Sequence, residues 1–363
     1  MRPQVVTILP TYQCTAACKE CCFECTPHVK GRIPRERLMR YIDEAIESVP
    51  TLRLLVFSGG ECFLLGKDLD DAIAKASAKG LRTRVVTNGY WAVSPEAASK
   101  RLQRLKDAGL DELNISSGDD HLEYVPFERV VNGLIAGAEL KIVSLVSVEG
   151  FENSKFKVED VFNHPRIRDY LAAHPGSPYL QVFKNVWMPF HQDRELEHRD
   201  ATYRTPERLG LNGGCTNVLY NMVITPDESL ASCCGLTMEH IPEMKLGKLG
   251  ENPMAKLVDQ GMNDFLKRWI WLDGPEAIMA FVHKMDPAVP LPSRNVHPCE
   301  TCAQFYLNPR AREVVRQHWR EVRDDVLLRY ELKLQFMQER GGQLPAEALQ
   351  DKQELTRLSH GDH

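Results

Sequence analysis

The stretch "QCTAACKECCFEC" (residues 13–25) puts five cysteines into twelve positions near the start of the chain. In a reducing compartment, thiols crowded this tightly serve metals or clusters rather than disulfides. The spacing C-x-x-x-C-x-x-C fits twice: as Cys14, Cys18 and Cys21, or as Cys18, Cys22 and Cys25. Spacing alone leaves both registers open. Eleven cysteines occur in all, an odd count that argues further against a disulfide framework. A second group comprises Cys215, Cys233, Cys234, Cys299 and Cys302, and Cys62 stands alone.

The 363 residues suit a barrel-sized domain with an appendage. Apolar runs such as "LRLLVF" and "KIVSLVSV" are strand-sized, too short to cross a membrane. "MRPQVVTILP" enters a strand-like run without an apolar segment and cleavage site, so the chain reads as cytoplasmic. A net charge of -5 gives no electrostatic reason to expect nucleic acid.

From residue 4 to about 190, β-rich runs alternate with helix-period segments. Strands are expected at 5–9, 52–57, 83–87, 112–116, 141–148 and 179–183, with amphipathic helices at 34–49 and 94–109. Ser94 and Pro95 start the latter helix, and a glycine ends it. This alternation predicts an α/β fold, a partial (β/α)6 TIM-like barrel with its chemistry at the carboxyl ends of the strands. The expected division is a barrel over 1–190, a polar connector over 191–214 and a small cysteine-bearing domain over 215–307. A long charged helix over 308–340 and a polar tail over 341–363 complete it. The small domain should contain two strands around a Pro-Asp turn (217–232) and a helix at 254–271. On the long helix, Leu327, Leu328, Leu332, Leu334 and Phe336 are available to dock elsewhere.

"TYQCTAAC" followed by Cys21, directly after the first strand, resembles the cluster loop of radical S-adenosylmethionine enzymes, T-x-x-C-x-x-x-C-x-x-C. Matching Thr11 to the leading threonine selects Cys14, Cys18 and Cys21 as ligands of a 4Fe-4S cluster whose fourth iron binds S-adenosylmethionine. Cys22 and Cys25 then line the loop. The chain departs from the family at Glu20, where an aromatic residue or His is common. "FSGGECF" (57–63) resembles the family's G-G-E motif, which implies that Ser58, Gly59, Gly60 and Glu61 meet the methionine moiety. "TNGYW" and "NISSGDDH" similarly imply Asn88 and Ser116 as nucleoside contacts, with Asp119, Asp120 and His121 reaching toward substrate. Read without the resemblance, the same residues are turn-formers. Cys62 reads as a buried thiol, with hydrogen-atom donation as its alternative role.

The second group resembles the auxiliary-cluster appendage of the same superfamily in its shorter twitch form. The longer SPASM signature has a glycine five residues before its second cysteine, where this chain has Glu228. The resemblance implies one auxiliary 4Fe-4S cluster held by Cys215, Cys233, Cys299 and Cys302, with Cys234 as the alternative to Cys233. Four thiolates would also suit zinc. The implied reaction is reductive cleavage of S-adenosylmethionine to a 5′-deoxyadenosyl radical, hydrogen-atom abstraction, and oxidation of the substrate radical through the auxiliary cluster. The expected substrate is a ribosomally made peptide, to be modified or crosslinked, with a flavodoxin or ferredoxin as electron donor. Cys14 stands almost at the start, so no leader-recognition domain is expected ahead of the barrel. Dehydrogenation of a small aminocyclitol-like molecule is the alternative, and a non-catalytic iron–sulfur or zinc protein is the alternative of another class.

Overall fold

The computed structural model describes residues 3–190, 196–205 and 213–339; the expected tail and parts of the expected connector lie outside them. Six parallel strands alternate with helices as the patterning predicts: β1 Val5–Ile8, β2 Leu54–Phe57, β3 Arg82–Thr87, β4 Glu112–Ser117, β5 Val143–Gly150 and β6 Leu180–Val186. Each pairs in register with its sequence neighbour. The crossover helices include Arg35–Ser48 and Pro95–Ala108. In the second, Ser94 Oγ accepts from Ala97 N at 3.2 Å, and Gly109 ends the helix at φ 100°.

The cysteine-bearing region is joined to this sheet. Its strands β7 Asn221–Ile224, β8 Ser229–Ala231 and β9 Lys245–Lys248 extend it, giving the order β6-β5-β4-β3-β2-β1-β7-β8-β9. β7 runs parallel to β1, Val5 opposite Asn221 and Ile8 opposite Ile224, and Thr7 Oγ1 donates to Asn221 Oδ1 at 3.0 Å. The expected hairpin is thus continuous with the barrel strands, because β1 would otherwise expose a full row of unpaired backbone groups. β8 and β9 follow antiparallel.

Several expected elements are corrected. The helix expected at 254–271 breaks at Asp264, whose carboxylate caps a second helix at Lys267 N. That second helix, Phe265–Met285, kinks at Gly274–Pro275, where Gly274 has φ 84°. The long C-terminal helix is two helices, Pro309–His318 and Arg320–Glu339. Of its expected docking residues Leu334 packs against the core that buries Val326 and Tyr330, while Leu328, Leu332 and Phe336 are exposed. Arg329 fastens the helix through a bidentate pair with Asp273, at 2.7 and 2.9 Å. Among the described residues no helix is long and apolar enough to cross a membrane.

Glu228, in the β7–β8 turn, occupies the left-handed region at φ 63°. That backbone conformation favours glycine. Here the side chain instead bonds Arg37 and Tyr41 of the helix Arg35–Ser48, tying the turn to the barrel. Glu228→Ala keeps the strained backbone and loses both partners, so thermal denaturation should show a loss of about 1–3 kcal/mol. Glu228→Gly relieves the strain and should recover about 1 kcal/mol of that loss.

Candidate functional site

At the carboxyl end of β1 the chain turns into the cysteine loop. Thr11 closes its base: Oγ1 donates to Gly31 O at 2.7 Å and accepts from Gln13 N at 3.0 Å. The end of β2 continues alongside, with Gly60 N donating to Thr11 O at 2.8 Å and Glu61 N to Gln13 O at 2.9 Å. A Cβ on Gly60 would stand 2.2 Å from Gln13 O, and one on Gly59 would stand 2.5 Å from Thr11 O. The glycines therefore admit the backbone of the cysteine loop itself, although the sequence suggested close approach to a ligand.

A cavity of about 360 Å³ and another of about 260 Å³ hold the two cysteine groups. All five thiols of the first group line the smaller one, together with Ser58, Gly59, Gly60, Asn88 and Ser116. The sulfurs differ in their hydrogen bonding. Cys14 Sγ accepts from Ala16 N at 3.4 Å and from Asn88 Nδ2 at 3.6 Å, and Cys21 Sγ accepts from Cys25 N at 3.4 Å. Cys25 Sγ donates to Phe23 O at 3.8 Å. N–H donors aimed at a sulfur favour its thiolate form. Burial pushes the Cys14 thiol up to about 11, and a hydrogen bond from the Cys25 thiol lowers Cys21 to about 6. Among the described residues no three His, Cys, Asp or Glu side chains gather as they would around a single ion.

Glu61 is placed differently from the expectation. It does not line the cavity; it is fully buried and accepts from Asn88 N at 2.9 Å, Phe63 N at 3.0 Å and Thr87 Oγ1 at 2.9 Å. Burial pushes its carboxyl up to about 7 against those donors. Its position makes it an internal brace between the ends of β2 and β3. Cys62 is likewise buried, its thiol donating to Val86 O at 3.4 Å.

Of the three residues after β4, only His121 lines the cavity. Asp119 instead receives Lys155 N and Phe156 N, each at 2.8 Å. Asp120 receives Trp187 Nε1 at 3.1 Å and Glu20 N at 3.3 Å. Glu149, buried at the end of β5, holds His121 Nδ1 at 2.6 Å and receives Asp120 N at 3.0 Å. This fixes the imidazole with Nε2 as its remaining ring nitrogen for chemistry. The sequence did not reveal Glu149, Trp187, Met188, Phe190 or Leu236, which build this wall from distant segments. Only the position of Glu149 and Trp187 near strand ends could have signalled them.

Cys215, Cys233, Cys299 and Cys302 all line the larger cavity. Cys215 N donates to Ile270 O at 2.9 Å, and Gly214 lies so close to the same helix that a Cβ there would stand 1.9 Å from Trp271 O. Cys299 and Cys302 lie in the first turns of the helix Pro298–Leu307, and His297 Nδ1 accepts from Cys299 N at 3.2 Å. A Cβ on Gly235 would stand 3.2 Å from Cys299 Sγ and 3.5 Å from Cys233 Sγ, so this glycine leaves a cradle between two thiols. Cys234, like Cys233 just past the end of β8, is outside the cavity and contacts the Thr7 hydroxyl instead. Gly235 and Thr237 face the larger cavity and Leu236 the smaller, so one short segment forms part of both walls.

These placements predict how iron loading responds to substitution. Cys21→Ala should remove the iron of the first site, while Cys25→Ala should retain it, read by iron and sulfide content after anaerobic reconstitution. Gly235→Ala should deplete the second site alone with every cysteine intact; unchanged loading would remove the cradle argument.

Comparison with known proteins agrees with the geometry. The radical SAM superfamily model matches residues 8–132. YydG of Bacillus subtilis, named for peptide biosynthesis, is 24% identical over 132 residues, covering 36% of this chain and 41% of its own. The PqqA peptide cyclase of Granulibacter bethesdensis is 33% identical over 170 residues, covering 45% of this chain and 42% of its own. The chain thus spans about two fifths of the length of these curated relatives. Among solved structures, anSMEcpe with AdoMet and Cp18Cys peptide matches at 13% identity and TM-score 0.48, over 87% of this chain and 99% of that one. BtrN in complex with AdoMet and 2-DOIA matches at 14% identity and TM-score 0.43, over 76% and 89%. The cysteine loop and the glycine pair that braces it fall within the matched segment, so residues 8–132 are similar to the radical SAM superfamily domain.

Proposed function

We propose that this chain is a radical S-adenosylmethionine enzyme that oxidatively modifies a ribosomally made peptide, with an auxiliary cluster in the second cavity. The observation that carries the reading is the common wall: residues 235–237 separate a five-cysteine cavity from a four-cysteine cavity. The peptide class is supported by the two curated relatives, one named for peptide biosynthesis and one for peptide cyclisation. When bound, the first cluster with S-adenosylmethionine supplies a 5′-deoxyadenosyl radical for hydrogen-atom abstraction, and the auxiliary cluster supplies an electron acceptor.

The protein's own residues divide the remaining work. Cys14, Cys18 and Cys21 hold the first cluster, and Asn88 steadies Cys14 while lining the nucleoside side with Ser116. Cys215, Cys233, Cys299 and Cys302 hold the second. Phe23, Met188, Phe190 and Leu236 exclude water from the first cavity. His121 Nε2 accepts the proton that a substrate loses when its radical is oxidised, with Glu149 stabilising the imidazolium through Nδ1. Trp187, edge-on to the His121 ring at 5.9 Å, fixes the imidazole plane.

Anaerobic reconstitution should give about eight iron and eight sulfide per chain. About four iron with one zinc would replace the auxiliary cluster by a structural metal. With dithionite and S-adenosylmethionine the protein should release 5′-deoxyadenosine; failure to do so would favour a non-catalytic binding protein. A short peptide encoded beside this gene should lose two hydrogens, whereas oxidation of an aminocyclitol with the peptide untouched would indicate small-molecule dehydrogenation. His121→Ala should still release 5′-deoxyadenosine while product formation falls on the order of 10²-fold.

A further inference from the structure

One residue lining the second cavity belongs to an ion pair that cysteine ligation does not use. Arg204 lines the cavity, and its Nε donates to Glu276 Oε1. The Glu276 side chain is 1% exposed, and its other oxygen, Oε2, has no hydrogen-bond partner among the described residues. Buried pairs of this kind add little stability relative to apolar side chains of the same volume, and an unsatisfied buried oxygen costs some. Their placement is nonetheless well fixed. Arg204 N donates to Asn295 O at 2.7 Å, on the segment that leads four residues later to Cys299. Glu276 follows the Gly274–Pro275 kink, just beyond the Ile270 carbonyl that anchors Cys215. The pair therefore spans the segments that deliver cysteines from two sides.

Building on the reading of this cavity as an iron–sulfur site, we propose that Arg204 and Glu276 tune the reduction potential of the auxiliary cluster, the guanidinium raising it and the carboxylate lowering it. A cluster held by four thiolates is anionic and gains a further negative charge on reduction. A cation nearby stabilises the reduced form, and an anion opposes it. One electron enters from the substrate radical as that radical gives up a proton, and one electron leaves to a one-electron carrier such as a ferredoxin. An acceptor in the middle of such a relay needs a potential that permits both transfers. Two opposed charges locked together set that balance, and the low exposure of Glu276 keeps water from screening it.

The test is a redox titration of the reconstituted holoenzyme, following by electron paramagnetic resonance the cluster signal that S-adenosylmethionine does not perturb. Arg204→Gln should shift that midpoint downward, Glu276→Gln should shift it upward, and Arg204→Lys should stay near the parent value. A structural role would not move two isosteric-scale substitutions in opposite directions. Unchanged midpoints, or shifts of one sign in both, would overturn the proposal. If Arg204→Gln fails to retain its second cluster, Glu276→Gln carries the test alone, since it preserves side-chain volume. A parent protein with iron for only one cluster would overturn the cluster reading itself, an outcome separable from an unmoved potential.

Discussion

The parallel pairing of β7 with β1 is the contact on which both cysteine sites depend. β1 is flanked by β2 on one side and β7 on the other, so a single strand sets the register of two chemical regions. Its carboxyl end opens into the cysteine loop, and β8, which follows β7, leads into Cys233 and the shared wall. Without this pairing β1 would expose a row of unpaired backbone groups, and the 235–237 segment would have no fixed relation to residues 14–25. Leu9, just past β1, is buried in the second core with Val218 and Val223, so apolar packing reinforces the same join.

A second level of control is the use of buried polar groups as braces. Glu61 fastens β2 to β3, Glu149 fastens β5 to the turn after β4, and Glu228 fastens the β7–β8 turn to the first helix. Each carboxylate lies at or near a strand end, where backbone N–H groups lack ladder partners and can be collected by one side chain. The cavities are thereby walled by elements whose mutual positions are fixed through hydrogen bonds as well as apolar contact. For the proposed radical chemistry this matters, because an abstracted hydrogen must come from one defined position.

The barrel strands and several crossover helices were legible because burial imposes strict periods on them, and Ser94, Pro95 and Gly109 marked a helix from end to end. The cysteines were legible by spacing together with Thr11, whose hydroxyl closes the loop in the structure. The roles of Gly59, Gly60 and Glu61 were less so: the motif announced a close approach and a useful carboxylate, but not what approaches or where the carboxylate turns. Asp119 and Asp120 satisfy nearby backbone and indole donors, a use that turn chemistry also allows. On the last helix Leu334 packs against the second core as expected, while Val326 and Tyr330, outnumbered by its leucines, make the buried stripe.

The sequence by itself determined the donor chemistry: which thiols exist, their short-range spacing, and a strand–loop order that delivers them to one end of a parallel sheet. These are local properties, governed by periodicity and by a few residues of separation. Only the tertiary structure decided that the second cysteine group extends the same sheet, that Cys233 rather than Cys234 faces its cavity, and that His121 meets Glu149. It alone also brought Arg204 to Glu276. These depend on strand register and on contacts between residues far apart in the chain, which side-chain packing and backbone hydrogen bonding select together and no local pattern encodes.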